Sequence, residues 1–359
     1  METGEKIETN QNPIKIINMV NWVSSENKMI PSVLIEQQFD GTTARDIVPI
    51  KKFYSSKSLR SAIGLNNDHY KNEKVDSHIR ELSLDKTIIT VVDKYGYCFI
   101  NGEMTFIHSE GTITNMFSPS HPLTSSNLTT PYGHYNPLPL TAEDNPQELV
   151  TRFLQILNIS PAKPEVGIFL MAKITNDALL HFKKSNVSLF YVNQGGKHKP
   201  FISKLARITS DRYILKPFAI EICSSSKNEP EDITENYSLS CDVNSADIDR
   251  NVFSNDFILT SNDCFSKVMH LFIQYIVNNY DLVNSKVESM FKKHKKMARK
   301  SLGKRGHKSS PLIVSDLMLG IYIFLKFCFD EKHLKGKQAK IIRNTTLDHL
   351  IEFMQSQEK

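Results

Sequence analysis

Ten Lys and Arg side chains fall between Lys286 and Lys308 (286, 292, 293, 295, 296, 299, 300, 304, 305 and 308), against one carboxylate, Glu288. The window carries +9 in a 359-residue chain whose total is only +5. Cations this close repel one another unless counter-charge arrives, and the commonest partner for such a cluster is a phosphate backbone. Lys292, Lys293, Lys295, Lys296, Arg299, Lys300, Lys304, Arg305 and Lys308 are therefore the candidate nucleic-acid contacts. Two histidines, His294 and His307, lie inside the run, with solvent as their expected neighbour. Residues 229–249 have the opposite sign, with seven acids and no base. They read as a solvated acidic loop.

Other chemistries lack their residues. The chain has no HExxH, no GxSxG, no GxGxxG following a strand and no Walker lysine. Gly195-Gly196-Lys197 lacks the strand, spacing and helix of a phosphate loop and reads as a hairpin turn. Five cysteines, none spaced as a ligand pair, point to reduced buried thiols rather than to disulfides or zinc. No metal, cofactor or enzymatic activity is expected. With no RRM, KH or zinc-finger pattern, nucleic-acid binding should be directed to the backbone and weakly sequence-specific.

The elements that must position the basic run lie in the C-terminal third. A helix capped by Ser261 or Asn262 carries Phe265, Val268, Met269, Phe272, Ile276, Tyr280, Val283, Val287 and Met290 at spacings of three and four, and should run into the basic segment. Gly303 and Gly306 mark a loop after it. A very apolar helix follows over residues 313–329. Ser315, Asp316 and Lys326 within it favour a buried helix over a bilayer span, and no membrane association is expected. Beyond a polar spacer, 335–343, a short helix places Leu347, Leu350, Ile351 and Met354 on one face. A short apolar helix beyond a spacer needs a groove in its own fold or a neighbour's. Residues 335–359 are accordingly the candidate oligomerisation arm.

The first two-thirds reads as antiparallel β structure, making the fold class α+β with a helical C-terminal third. Residues 1–110 are β-rich. Apolar runs at 14–23, 32–37 and 47–54 alternate with turns, 58–84 reads as loop plus a short helix, and 87–108 with Asn101-Gly102 reads as an antiparallel meander. Residues 111–142 contain no charged side chain but five prolines, which predicts a linker or extended loop without regular structure up to residue 144. A helix restarts sharply at Asn145, with Pro146 in the first position and Glu148 three residues after the cap. Strands are predicted at 166–174, 187–192, 199–208 and 213–222, with a turn of helix near 176–184. These complete a region of helix plus antiparallel sheet over 145–225. The acidic loop is placed at 226–256 and the helical region at 257–334.

Residues 150–184 (VTRFLQILNISPAKPEVGIFLMAKITNDALLHFKK), preceded by the uncharged Pro-rich stretch and followed by a helical, basic C-terminal third, resemble the non-structural viroplasm matrix protein of fijiviruses, the plant-infecting reoviruses. The resemblance implies a protein of the host cytoplasm that forms dimers and joins them into larger rings through a C-terminal arm, here residues 336–359. It further implies binding of single-stranded RNA and nucleation of the inclusion bodies in which replication and assembly occur. It assigns no RNA-contact residues, which rest on the charge argument alone. Two other readings fit the same residues: a nuclear DNA- or chromatin-associated protein whose basic run is an import signal, and a nucleotide hydrolase without a recognisable motif.

Overall fold

The computed structural model describes residues 14–23, 28–39, 42–65, 71–92, 96–100, 103–108, 111–114, 123–124, 138–179, 181–183, 187–193, 219–221, 237–242, 255–303 and 308–357. The predicted strand at 199–208, the Gly195-Gly196 turn, and Lys304, Arg305 and His307 lie outside them. The chain divides into two units: Met1–Lys94 with Cys98–Ile100 and Met116–Thr129, and Tyr95–Tyr97 with Asn101–Asn115 and Thr130–Lys359.

In the first unit, β1 (Lys15–Val23), β2 (Met29–Phe39) and β3 (Thr42–Pro49) form antiparallel pairs, with Val20 opposite Ser32 and Val33 opposite Val48. The apolar run predicted as a strand to residue 54 turns helical at Ile50. There α1 (Ile50–Ser55) buries Ile50 and Phe53. α2 (Lys57–Ala62) begins at Ser56, whose hydroxyl accepts from the Leu59 amide at 3.2 Å, and α3 (Asn72–Leu82) buries Val75 and Ile79. β4 (Asp85–Val92) then pairs parallel to β1, with Val20 opposite Ile89. Parallel pairing needs a long crossover, and α1–α3 supply it. The expected meander is corrected at this point, because β4 belongs to the sheet of β1 and not to the hairpin after it. Ile16, Val33, Ile35, Phe53, Val75 and Ile79 are the centre of this unit's core.

The strands β5 (Gly96–Ile100), β6 (Glu103–His108) and β7 (Gly111–Thr114) follow, with β6 and β7 antiparallel. A two-residue strand, β8 (Leu123–Thr124), extends the first sheet to the order β3-β2-β1-β4-β8. Among the described residues, regular structure thus enters the Pro-rich stretch at β7 and β8, in segments free of proline.

The second unit is organised by helices. α4 (Pro146–Leu154) starts as its sequence predicts, with Asn145 Oδ1 accepting from the Gln147 and Glu148 amides at 3.1 and 3.4 Å. The predicted strand at 166–174 is instead α5 (Pro164–Asp177), buried at every position from Val166 onward. A helix buried on all sides shows no 3.6-residue stripe, so its continuous apolar run imitates a buried strand. Gly167 fits because a Cβ there would lie 2.3 Å from the Ile156 carbonyl oxygen.

β9 (Val187–Asn193) pairs parallel with both β10 (Ala219–Glu221) and β11 (Tyr237–Asp242), which overturns the antiparallel expectation for this sheet. β11 also places a strand inside the expected acidic loop. The remaining helices among the described residues are α6 (Asn255–Asn278), α7 (Tyr280–Leu302), α8 (Ser310–Asp330) and α9 (Gly336–Ser356). The single long helix expected from residue 261 is two helices, broken at Asn279, whose side chain donates to the Tyr275 carbonyl at 2.9 Å. α8 is long and apolar enough to cross a membrane, but 78% of that span is buried inside the unit. α5, α7 and α9 all pack against it. Phe153, Phe272, Phe324 and Phe327 form the aromatic centre of the core, with Phe153–Phe324 ring centroids 4.8 Å apart. Cys98, Cys264 and Cys328 are buried, reduced thiols.

Candidate nucleic-acid interface

α7 sorts its side chains by face. Val283, Val287, Phe291, His294, Ala298 and Leu302 recur at spacings of three and four and are buried. Lys292, Lys293, Lys296, Arg299 and Lys300 are exposed. At 3.6 residues per turn these five cations share an arc of about 120° on the opposite side. Lys295 borders that arc and is half-buried, and Lys308 is exposed before α8 begins. The charge also suits the helix ends, with Asp281 in the first turn and Arg299 and Lys300 in the last, where each sign complements the helix dipole. Gly303, at φ +66°, ends the helix in a conformation that side-chain-bearing residues avoid.

Counter-charge on this face is sparse. Glu288 pairs with Lys292 at 3.2 Å, one turn away and exposed, a type of contact that contributes little. Lys183 adds a cation at the helix flank, its Nζ 3.9 Å from the centroid of the Phe291 ring. The face can attract an extended polyanion and hold it by several charge-assisted hydrogen bonds. Among the described residues, no aromatic side chain stands on this exposed arc of α7.

His294 departs from its expected exposure. It is 2% exposed, with its ring edge-on to Tyr322 at 5.5 Å between centroids. Burial lowers its pKa to about 4, and the nearby Arg343 and Lys293 push it the same way, so the imidazole is neutral at physiological pH.

The candidate oligomerisation residues stand elsewhere. Leu347, Leu350, Ile351 and Met354 are buried in the same core as α5 and α8, and Phe353 meets Phe169 at 5.4 Å. The expected polar spacer is the first two turns of α9, which starts at Gly336. In this structure the stripe docks on its own chain, against α5 and α8.

Among the described residues no group of three or more His, Cys, Asp or Glu side chains is placed to hold a metal ion. An open cleft at the α8–α9 turn is lined by Phe329, Asp330, Lys332, His333, Lys335 and Gln338. Its carboxylate is already engaged, since Asp330 accepts from the Tyr275 hydroxyl and pairs with Lys326 at 2.6 Å.

No protein-family model matches the chain, and no curated protein matches it. A solved structure described as "SCCmec type IV Cch - active helicase" is similar over 95% of this chain and 75% of that one, at 13% identity and a TM-score of 0.44. A likeness that weak carries no argument about fold or function.

Proposed function

We propose that the chain binds single-stranded RNA through its phosphate backbone, along the exposed face of α7. The observation that supports this reading is the separation of Lys292, Lys293, Lys296, Arg299 and Lys300 from the buried face of the same helix, with Glu288 the one acid between Lys286 and Lys308. A solvated surface helix ordinarily mixes both signs, whereas a phosphate-tracking face keeps one. The inclusion-body scaffold implied by the resemblance adds self-association to RNA binding. Because Leu347, Leu350, Ile351 and Met354 are packed within their own chain, that association would use another surface.

Fluorescence anisotropy of labelled oligouridylate across a salt series tests the reading. With five phosphate contacts, log K should fall against log salt with a slope of about −3.5. Replacing Lys292, Lys293, Lys296, Arg299 and Lys300 with Gln should bring the slope close to zero. Unchanged binding in that variant would refute the assignment, and nuclear accumulation of the tagged chain would favour an import signal instead.

A further inference from the structure

We propose that the cleft at the α8–α9 turn seats one base of a bound RNA strand on the ring of Phe329, with Lys332 and Lys335 on the neighbouring phosphates. The proposal rests on the reading of the chain as a single-stranded RNA-binding protein and gives it a base contact that the exposed arc of α7 lacks.

The cleft is built by the way α8 ends. Phe329 is the last apolar residue of a helix buried along most of its length, yet it is 53% exposed. Glu331 caps the helix and the chain turns back, with the Lys332 amide donating to the Phe329 carbonyl at 3.1 Å and the Leu334 amide to the Cys328 carbonyl at 2.9 Å. This turn brings Gly336, the first residue of α9, against the Phe329 ring: a Cβ there would stand 3.0 Å from Cε2 and 3.5 Å from Cδ2. Backbone thus supports one edge of the ring, which lines an open cleft of about 950 Å³ together with Lys332 and Lys335. Small-ligand sites occupy roughly 300–1,000 Å³, so a nucleoside with its phosphate has room.

Positive charge collects at the same place. Lys332 and Lys335 are exposed, while Asp330, the acid of the lining, accepts from the Tyr275 hydroxyl and pairs with Lys326 at 2.6 Å. Among the described residues Lys332 is the one non-glycine with a positive φ, +62°. The position just past a helix cap is ordinarily glycine, which has no Cβ to strain there. A lysine instead holds an ammonium at the cleft at a conformational cost that glycine would not carry, and such strain collects at ligand sites. Gln338 Oε1 accepts from the Lys335 amide at 3.1 Å, which leaves its NH2 group to donate to a base edge. An exposed ring, two ammonium groups and an amide around one cleft are the set that holds single strands: the ring stacks any base and the cations track the backbone. An acidic peptide would use the lysines and leave the ring without a stacking partner.

The test uses the full chain. Phe329→Trp places an indole in the cleft, and Trp22, the chain's single tryptophan, gives the background in the parent. The trinucleotide UpUpU should quench the emission of Phe329→Trp and leave the parent's unchanged, whereas the same trimer without bases should quench neither. By anisotropy, Phe329→Ala should weaken binding of labelled UpUpU about 5- to 150-fold, the range for one stacked base, and leave the baseless trimer unaffected. Lys332→Gly should weaken both trimers while its melting midpoint is no lower than the parent's, a split that a merely structural lysine would not give. Suppose UpUpU quenches nothing and Phe329→Ala binds it as the parent does, while replacing the five α7 cations still abolishes binding of long oligouridylate: the base seat is then refuted and the α7 reading stands. Quenching that survives those five replacements, with long oligouridylate binding also unchanged, upholds the cleft and refutes the α7 assignment. Displacement of UpUpU by a glutamate hexapeptide at equal concentration, or quenching by the baseless trimer, makes the cleft a general anion site and refutes the base seat. If Phe329→Trp loses its cooperative melt, Phe329→Ala and Lys332→Gly decide by anisotropy.

Discussion

Gly320 of α8 lies flush against Asn176 of α5: a Cβ on Gly320 would stand 2.6 Å from both the backbone nitrogen and the Oδ1 of Asn176. The closeness lets Asn176 Nδ2 donate to the Asp316 carbonyl across the helix interface at 2.9 Å. Gly320→Ala meets backbone here, which cannot rotate away. The substitution should destabilise the chain by about 1–3 kcal/mol, outweighing the roughly 1 kcal/mol by which Ala surpasses Gly in a helix interior. Thermal melting checks this, and an unchanged or higher midpoint would contradict it.

Leu350, 0% exposed, should behave as a core residue of its own chain. Leu350→Ala is expected to cost about 2–5 kcal/mol of stability and to leave the molecular mass in solution unchanged. Chemical denaturation and light scattering on one sample separate the outcomes. A smaller assembly with undiminished stability would reinstate the oligomerisation arm.

Asp144 receives an ion pair from Lys267 at 2.8 Å and a backbone hydrogen bond from Thr141 at 2.7 Å. The Lys267 hydrogen bond leads in holding its carboxyl down at about 2, against an ordinary 3.8. A carboxyl depressed in the folded state stabilises fully above its unfolded pKa and loses that contribution as pH falls through the folded value. Asp144→Asn should therefore be less stable than the parent at pH 6, with the gap closing between about pH 4 and pH 2. Urea midpoints at pH 6 and pH 2.5 measure the two gaps, and equal gaps would contradict the assignment.

Lys173 and Asp177 stand one turn apart on α5, 4% and 1% exposed. Burial raises the Asp177 pKa and lowers that of Lys173, while each favours the charged form of the other. Taking both charges out of water is costly, so Lys173→Met with Asp177→Leu should be neutral or stabilising by about 1–4 kcal/mol. Asp177→Leu alone removes the carboxylate that favours the buried ammonium's charged form and should cost about 3–5 kcal/mol. Urea denaturation of the parent, both single variants and the double variant gives the coupling. A double variant as unstable as the worse single one would show that the pair is needed for packing.

The basic face was legible because it is written locally. The spacing that buries Val283, Val287 and Phe291 leaves Lys292, Lys296 and Arg299 outside whatever the helix packs on. Asn145, Pro146 and Glu148 announced α4 equally well, since a cap is settled within one turn. The burial of His294 gave no such signal: between Lys293 and Lys295 it looks like any polar residue of a basic face, and only the fold sets its ring against Tyr322.

By itself the sequence determined which faces must leave water, where charge of one sign collects, and where α4 starts. Tertiary structure alone decided what each face meets. The Leu347–Met354 stripe demanded an apolar groove without saying whose, and α8 of the same chain supplied it. The run at 166–174 had to be buried, and α5 became a helix because three-dimensional packing covers it on every side, which erases the periodicity that would have distinguished it from a strand. Parallel pairing of β1 with β4, and of β9 with β10 and β11, joins segments far apart in sequence. Each strand's own residues encode burial and pleat, while the partner and its direction are set by the crossover between them.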